Sequence, residues 1–284
     1  MKIFIDTNIF LGFYEANTDH IDKILDLSGI KDYLITIDYC WNEYLRNRPR
    51  VFNFLINEIK AHQPTDPHRT SFISGFEEYK KAKEYTEKTK ESVKDLIEKV
   101  NKVKFDTKQD IVFSKLLELY EDKEIIKFEV NFNLIERAKT RKILGNPPMT
   151  KDSYAIGDEL IWETLLENVK DDLIIVSRDK TFSIHLDFLK NEYQKKIKKD
   201  LYIFDKLKDA FDKVGASVPT DLSEFEAKID KPIVGSERRI IRQVTFDGLA
   251  VPINPDITYC RFCGNMINTM DSYCQYCGNV LWPE

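Results

Sequence analysis

Apolar positions along this chain follow two rhythms, and their order predicts an α/β fold. Four short runs are apolar without alternation: Lys2 to Ile5, Tyr33 to Thr36, Leu173 to Val176 and Leu201 to Phe204. Runs of this length, rich in β-branched and aromatic residues, read as strands buried on both faces of a parallel sheet. Helical spacing follows the first two and the last. Ile9 to Tyr14 opens a helix after the turn at Asp6, Thr7 and Asn8; Ile24 to Leu27 continues a helical pattern that Gly29 can stop. WNEYLRNR follows the second strand through Asp38 and Cys40, and Lys206 to Val214 follows the fourth and closes at Gly215. Before the third strand, Ile156, Leu160, Ile161, Leu165 and Leu166 recur at helical spacing, with Asp158 set beside that apolar face. Strand and helix in alternation imply a doubly wound parallel sheet with right-handed crossovers.

Between residues 51 and 144 strand signals are scarce and charge is dense, which predicts a helical insertion. Glu77 to Val103 reads as one long helix with a narrow apolar stripe through Ala82, Tyr85, Val93, Leu96, Ile97 and Val100. Asp106 or Thr107 can cap the next helix, and a third, around Phe132 to Ile143, ends at Gly145 before Asn146, Pro147 and Pro148. Residues 219–256 are weakly patterned and read as a connector with β character around 240–251. The expected organisation is therefore a main domain over 1–218, a connector over 219–256 and a small module over 257–284.

With 284 residues, 42% of them hydrophobic, the chain can build a substantial core. Its net charge of −5 provides no global basic field, so contact with nucleic acid must come from a local patch. Lys2, Asp6 and Asn8 break the apolar N-terminus before a signal h-region could form, and no run reaches the length of a membrane span. Four of the five cysteines form two CxxCG pairs, Cys260 with Cys263 and Cys274 with Cys277. Two thiolates per pair with a following Gly for the tight turn predict a closed, structural Cys₄ Zn²⁺ site. The module is similar to a zinc ribbon, a class that binds nucleic acid or protein. Its surroundings are electrically neutral, which leaves a protein partner open. This cysteine usage fits a reducing compartment, and the expectation is a cytoplasmic protein without membrane contact. Cys40 is expected to pack as a small apolar residue.

The remaining chemistry lies in acids beside the apolar runs. In an open parallel sheet ligands bind beyond the carboxyl ends of the strands. Asp6 and Asp179 directly follow strands; Glu43 lies in the first turns of the helix after the second strand; Asp158 opens the helix before the third. Singly, Asp6 and Asp158 read as helix caps, Glu43 as an exposed helix residue and Asp179 as a turn residue. Jointly they can meet in one pocket whose mutual repulsion calls for hard cations such as Mg²⁺ or Mn²⁺. The four histidines, His20, His62, His68 and His185, show no spacing that suggests catalysis.

FIDTN after the first strand, an acid in the helix after the second, Gly-Asp opening an Ile-Trp helix, and VSRDKTF after a later strand resemble PIN-domain ribonucleases. GNPPMTKDSYAIGDELIW with VSRDKTF is similar to the larger PIN-like proteins that carry a helical insertion. The resemblance covers roughly residues 1 to 215 and implies a metal-dependent endonuclease, with Asp6, Glu43, Asp158 and Asp179 as Mg²⁺ or Mn²⁺ ligands. Asn8 and Ser177 would orient the carboxylates, and Asp152 is a fifth candidate acid. The substrate expected is single-stranded or loosely structured RNA. A structure-specific DNA nuclease and a non-catalytic PIN-like scaffold binding nucleic acid or protein stand as alternatives. Arg46 and Arg48 lie close after Glu43, and Arg137, Arg141 and Lys142 precede the Asn-Pro-Pro turn. They are candidates to hold substrate phosphates, against the alternative of a solvated charged face.

Overall fold

The computed structural model describes residues 1–15, 21–148 and 155–229, together with short strands at 245–246, 249–250, 257–259 and 266–268. The chain divides into two compact units, Met1–Ile229 and Asp230–Glu284.

The first unit runs β1 (Lys2–Ile5), α1 (Thr7–Gly12), α2 (Ile21–Ile24), β2 (Leu34–Ile37), α3 (Asp38–Ala61), α4 (Glu77–Phe105), α5 (Ile111–Glu121), β3 (Ile126–Phe128), α6 (Phe132–Ile143) and α7 (Gly157–Asn168). It continues through β4 (Leu173–Val176), α8 (Lys180–Ile184), α9 (Leu186–Ile197), β5 (Leu201–Phe204), α10 (Leu207–Val214) and α11 (Thr220–Ile229). The strands form one sheet in the order β3-β2-β1-β4-β5, every neighbouring pair parallel. This is the doubly wound α/β sheet expected, with a fifth strand, β3, added at its edge.

Alternation along the strands divides the core into two layers. Ile3, Ile5, Ile174 and Val176 face a layer with Ile9, Phe13, Leu207, Phe211 and Phe225. Phe4, Leu173 and Ile175 face the other, with Ile161, Trp162, Leu165, Phe182 and Tyr193. Both faces of β1 and β4 are therefore dry, which is why these strands lack a polar alternation. β1 lies between β2 and β4, so the chain first builds outward through β2 and β3 and then crosses back to add β4 and β5 on the other side of β1, and the carboxyl ends of β1 and β4 flank the switch point.

The insertion is a helical arm. α3 carries Pro49 in its interior, which deprives the Leu45 carbonyl of its helical donor but leaves it beside an exposed side chain. The C-terminal end of α4 lies against the first half of α3, so the two run antiparallel: Arg48 on α3 donates to the carbonyls of Val103 and Lys104. No α4 residue is fully buried. Asp106 caps only a short 3₁₀ turn, and Asp110 caps α5 by accepting from the Phe113 N–H.

Residues 220–229, within the expected connector, form α11 and belong to the first unit. Leu222 and Phe225 are buried, and the Phe225 ring stacks on Phe13 at 5.5 Å between centroids. The Glu226 carboxylate accepts from the N–H groups of Leu207 (2.7 Å) and Lys208 (3.0 Å), satisfying the start of α10. Ending the chain at Ile229 is expected to preserve the melting temperature of this unit. Ending it at Val218 removes two buried apolar side chains and a helix cap, on the order of 5 kcal/mol together. Equal thermal melts for the two truncations would return the boundary to residue 218. In the second unit, Thr245–Phe246 pairs with Leu249–Ala250 and Ile257–Tyr259 with Met266–Asn268, both antiparallel. Cys260, Cys263, Cys274 and Cys277 lie outside the described residues, as do Asp152 and His20.

Candidate active site

Four acids from four elements meet at the carboxyl edge of the sheet. Asp6 follows β1, Glu43 sits in the second turn of α3, Asp158 in the first turn of α7, and Asp179 precedes α8 after β4. Asp6 is coupled electrostatically to Glu43 and Asp158, and Asp179 to Glu43 and Asp158.

Each carboxylate is fixed by a neighbouring hydroxyl or amide. One Asp6 oxygen, Oδ2, accepts from Ser177 Oγ (2.6 Å) and Asn8 Nδ2 (2.6 Å). Ser177 Oγ in turn accepts from Asn8 Nδ2 (3.0 Å) and the Asp179 N–H (3.1 Å), while Asn8 Oδ1 accepts from the Arg178 N–H (3.1 Å). This closed circuit ties the end of β1 to the end of β4. Thr7 Oγ1 lies 3.2 Å from Glu43 Oε2, to which it donates. Thr181 holds two acids: its hydroxyl donates to Asp158 Oδ2 (3.0 Å) and its backbone N–H to Asp179 Oδ1 (2.9 Å). Thr7 and Thr181 were not among the residues expected at the site. Their signal was present in FIDTN and RDKTF, where each Thr follows an acid by one or two positions.

A Cβ at Gly157 would lie 2.7 Å from the Tyr39 hydroxyl, so a side chain there would push this ring back from the start of α7. The Arg46 guanidinium lies over the Tyr39 ring, 5.3 Å from its centroid.

Burial and crowding raise the acids' affinity for protons. Asp6, 6% exposed, is pushed up to about 7, first by burial and then by the charges of Glu43 and Asp158, against the Ser177 hydrogen bond. Asp158 rises to about 6 through burial and Asp179. Burial also raises Glu43, while Thr7 and Arg46 oppose the rise. Cys40 is buried in the core layer behind Asp6, where burial raises its thiol.

Among the described residues, no three Asp, Glu, His or Cys side chains are spaced to share one metal ion. Mg²⁺ asks for less: one or two carboxylates, with water and substrate phosphate completing its octahedron. An all-carboxylate donor set, crowded enough to raise two pKa values, fits a hard divalent cation.

Four of the five candidate phosphate contacts are instead internal ion pairs. Arg48 is buried against Asp110 at 2.7 Å and fastens the arm. Arg137 pairs with Glu163 and Glu167, Arg141 with Glu163 and Glu192, and Lys142 with Glu159. Glu159 and Glu163 are charges that α7 carries into the packed layer, and Glu192 and Glu167 lie at its margin, so the cations neutralise the protein itself. Arg46 alone of the five is exposed, and it makes no salt bridge among the described residues.

A family model described as PIN domain matches residues 3–182, a span that contains all four acids and the helical arm. No curated protein and no solved structure matches the chain.

Proposed function

The chain belongs to the PIN-domain family, and from that membership and its acidic pocket we propose that it is a divalent-metal-dependent endoribonuclease acting on single-stranded or loosely structured RNA. PIN domains are generally nucleases that use Mg²⁺ or Mn²⁺. The observation that carries the reading is the meeting of Asp6, Glu43, Asp158 and Asp179 at the switch point, each held by a Thr, Ser or Asn of the FIDTN or VSRDKTF segment. Such support is spent on groups whose geometry matters to a ligand.

Asp6, Glu43, Asp158 and Asp179 would hold Mg²⁺ or Mn²⁺, one or two carboxylates to an ion, and the metal would supply activation of water and neutralisation of charge on the scissile phosphate. Asn8, Ser177, Thr7 and Thr181 hold the carboxylate rotamers. With Asp6 and Asp158 titrating near neutrality, the acids are readier to bind metal as pH rises from 6 to 8. No side-chain nucleophile is required.

Incubation of the protein with mixed single-stranded RNAs and Mn²⁺ is expected to give internal cleavage that EDTA abolishes. Cleavage that survives EDTA refutes the mechanism; an inert protein that still binds the strands is a scaffold. Preferential cleavage of flap or single-stranded DNA in parallel reactions identifies a DNA nuclease instead. The four C-terminal cysteines are proposed to hold one structural Zn²⁺ in a ribbon that contacts protein or nucleic acid. Zinc analysis should then find one ion per chain, lost in Cys260→Ser; one ion retained in that variant excludes the Cys₄ site.

A further inference from the structure

The exposed side of α3 continues the acidic pocket outward. At about 100° per residue, Arg46, Arg50, Phe54 and Asn57 fall within about 60° of Glu43 around the helix axis. All four are exposed, Phe54 to 50%, whereas Tyr44, Arg48, Phe52 and Ile56 on the other side are buried. Arg46 and Arg50 make no salt bridge to an acid among the described residues; Arg46 lies over Tyr39, and Arg50 reaches only Asn47, at 3.4 Å. This sets them apart from Arg48, Arg137, Arg141 and Lys142, which are consumed by internal acids.

We propose that Arg46, Arg50 and Phe54 form a track along α3 for a single polynucleotide strand leaving the carboxylate pocket, the two arginines on successive phosphates and Phe54 under a base. The direction of the track, outward from Glu43, rests on the nuclease reading. Positions four apart on a helix are separated by about 6 Å along its axis, comparable to one nucleotide step of an extended strand. Guanidinium groups match phosphate oxygens with two parallel hydrogen bonds, and a half-exposed Phe gives any base a stacking face. Neither contact reads sequence or the sugar hydroxyl, so the track accepts strands by backbone and π-face alone. Glu58, close to the same side of the helix beyond Phe54, limits its length.

The test measures fluorescence anisotropy of labelled decauridylate and its deoxy counterpart across a salt series in EDTA, which stops metal-dependent cleavage and reports the track alone. Arg46→Ala and Arg50→Ala are each expected to flatten the plot of log affinity against log salt by about 0.7. Phe54→Ala should weaken binding about tenfold without changing that slope, and Phe54→Trp should restore it. Lys195→Ala, removing an exposed cation on α9, should leave the slope as in wild type. All substitutions are on exposed positions, and unchanged thermal melts verify their folding. Wild-type slopes in both arginine variants, an equal slope change in Lys195→Ala, wild-type affinity in Phe54→Ala, or losses confined to one of the two sugars would each overturn the track. Cleavage by wild type in Mn²⁺ alongside such results leaves the nuclease standing without it; no cleavage, with the expected binding losses, removes the nuclease and keeps the strand surface.

Discussion

Asp6→Asn is expected to abolish Mn²⁺-dependent cleavage and, in EDTA at pH 8, to raise the melting temperature. The two effects have one origin. Asp6 is buried beside Glu43 and Asp158, and its carboxyl titrates near 7 in the folded chain against an ordinary 3.8. A folded pKa raised above the unfolded one gives stability that is complete below about pH 4 and lost as pH climbs through 7. At pH 8 the metal-free protein therefore carries the full cost of ionising this group, on the order of 4 kcal/mol at most by the size of the shift. Asn keeps an oxygen for Ser177 Oγ and Asn8 Nδ2 and carries no charge, so the cost disappears. Bound Mn²⁺ should offset it in wild type only. Loss of a ligand, which matters more than the orienting groups whose removal costs 10- to 100-fold, should reduce cleavage by more than about 100-fold. Melts at pH 5 and pH 8, with EDTA and with Mn²⁺, give four comparisons for each protein. If wild type in EDTA is as stable at pH 8 as at pH 5, or if Asp6→Asn melts lower than wild type at pH 8, the strained acidic pocket is refuted. Cleavage at the wild-type rate in the same variant refutes the role of Asp6.

The parts of this fold that were legible in the sequence are those that a local pattern determines. β1, β2 and β4 are buried at their central positions, and β5 is buried at Leu201 and half-buried beyond it, so each is a run of mostly apolar residues. β3 escaped notice because it is an edge strand of three residues, with Ile126 42% exposed and Lys127 at its centre. The helices of the arm were legible from their apolar stripes, whereas the cap of α5 was misplaced by one short turn, since Asp110 rather than Asp106 or Thr107 accepts from the Phe113 N–H. α11 was not legible, because only Leu222, Phe225 and Glu226 declare its buried side within a stretch that otherwise resembles a linker. Among the candidate site residues, the acids stood out because Asp6 and Asp179 follow strands, Asp158 opens a helix and Glu43 lies in the first turns of another. Four of the five candidate cations have internal partners that their spacing in the sequence hides: Arg48 meets Asp110, 62 residues away, and Arg141 meets Glu192, 51 residues away. A cluster of basic residues looks the same in sequence whether it faces solvent, a phosphate or an internal acid. α7 adds to the difficulty, because residues 159–166 are buried all round and its acids Glu159 and Glu163 lie within the packed layer.

That reassignment gives a second large effect. Arg141→Ala should destabilise the protein rather than weaken its hold on RNA. The Arg141 side chain is 6% exposed, and its guanidinium donates to Glu163 Oε1 (2.7 Å), to both oxygens of Glu192 (2.6 and 3.0 Å) and to the Pro147 carbonyl (2.6 Å). Glu192 also accepts from Trp162 Nε1 (2.8 Å), in the middle of the layer that seats α7. Burial pushes Glu163 up, but Arg141 and Arg137 more than offset it and hold the carboxyl below its usual range. Removing Arg141 leaves that buried charge with Arg137 alone and strands the Pro147 carbonyl, a loss of about 3–5 kcal/mol for a broken buried pair. For a unit of this size that is on the order of 10 °C in melting temperature. Arg141→Lys should recover only part of it, since an ammonium cannot reproduce the forked contacts to two carboxylates. Arg46→Ala, at an exposed position, should melt within about 1 °C of wild type. The comparison is decisive in either direction: if Arg141→Ala melts with wild type and loses affinity for single-stranded RNA, this guanidinium faces the substrate and the internal network is not what holds α6 to α7.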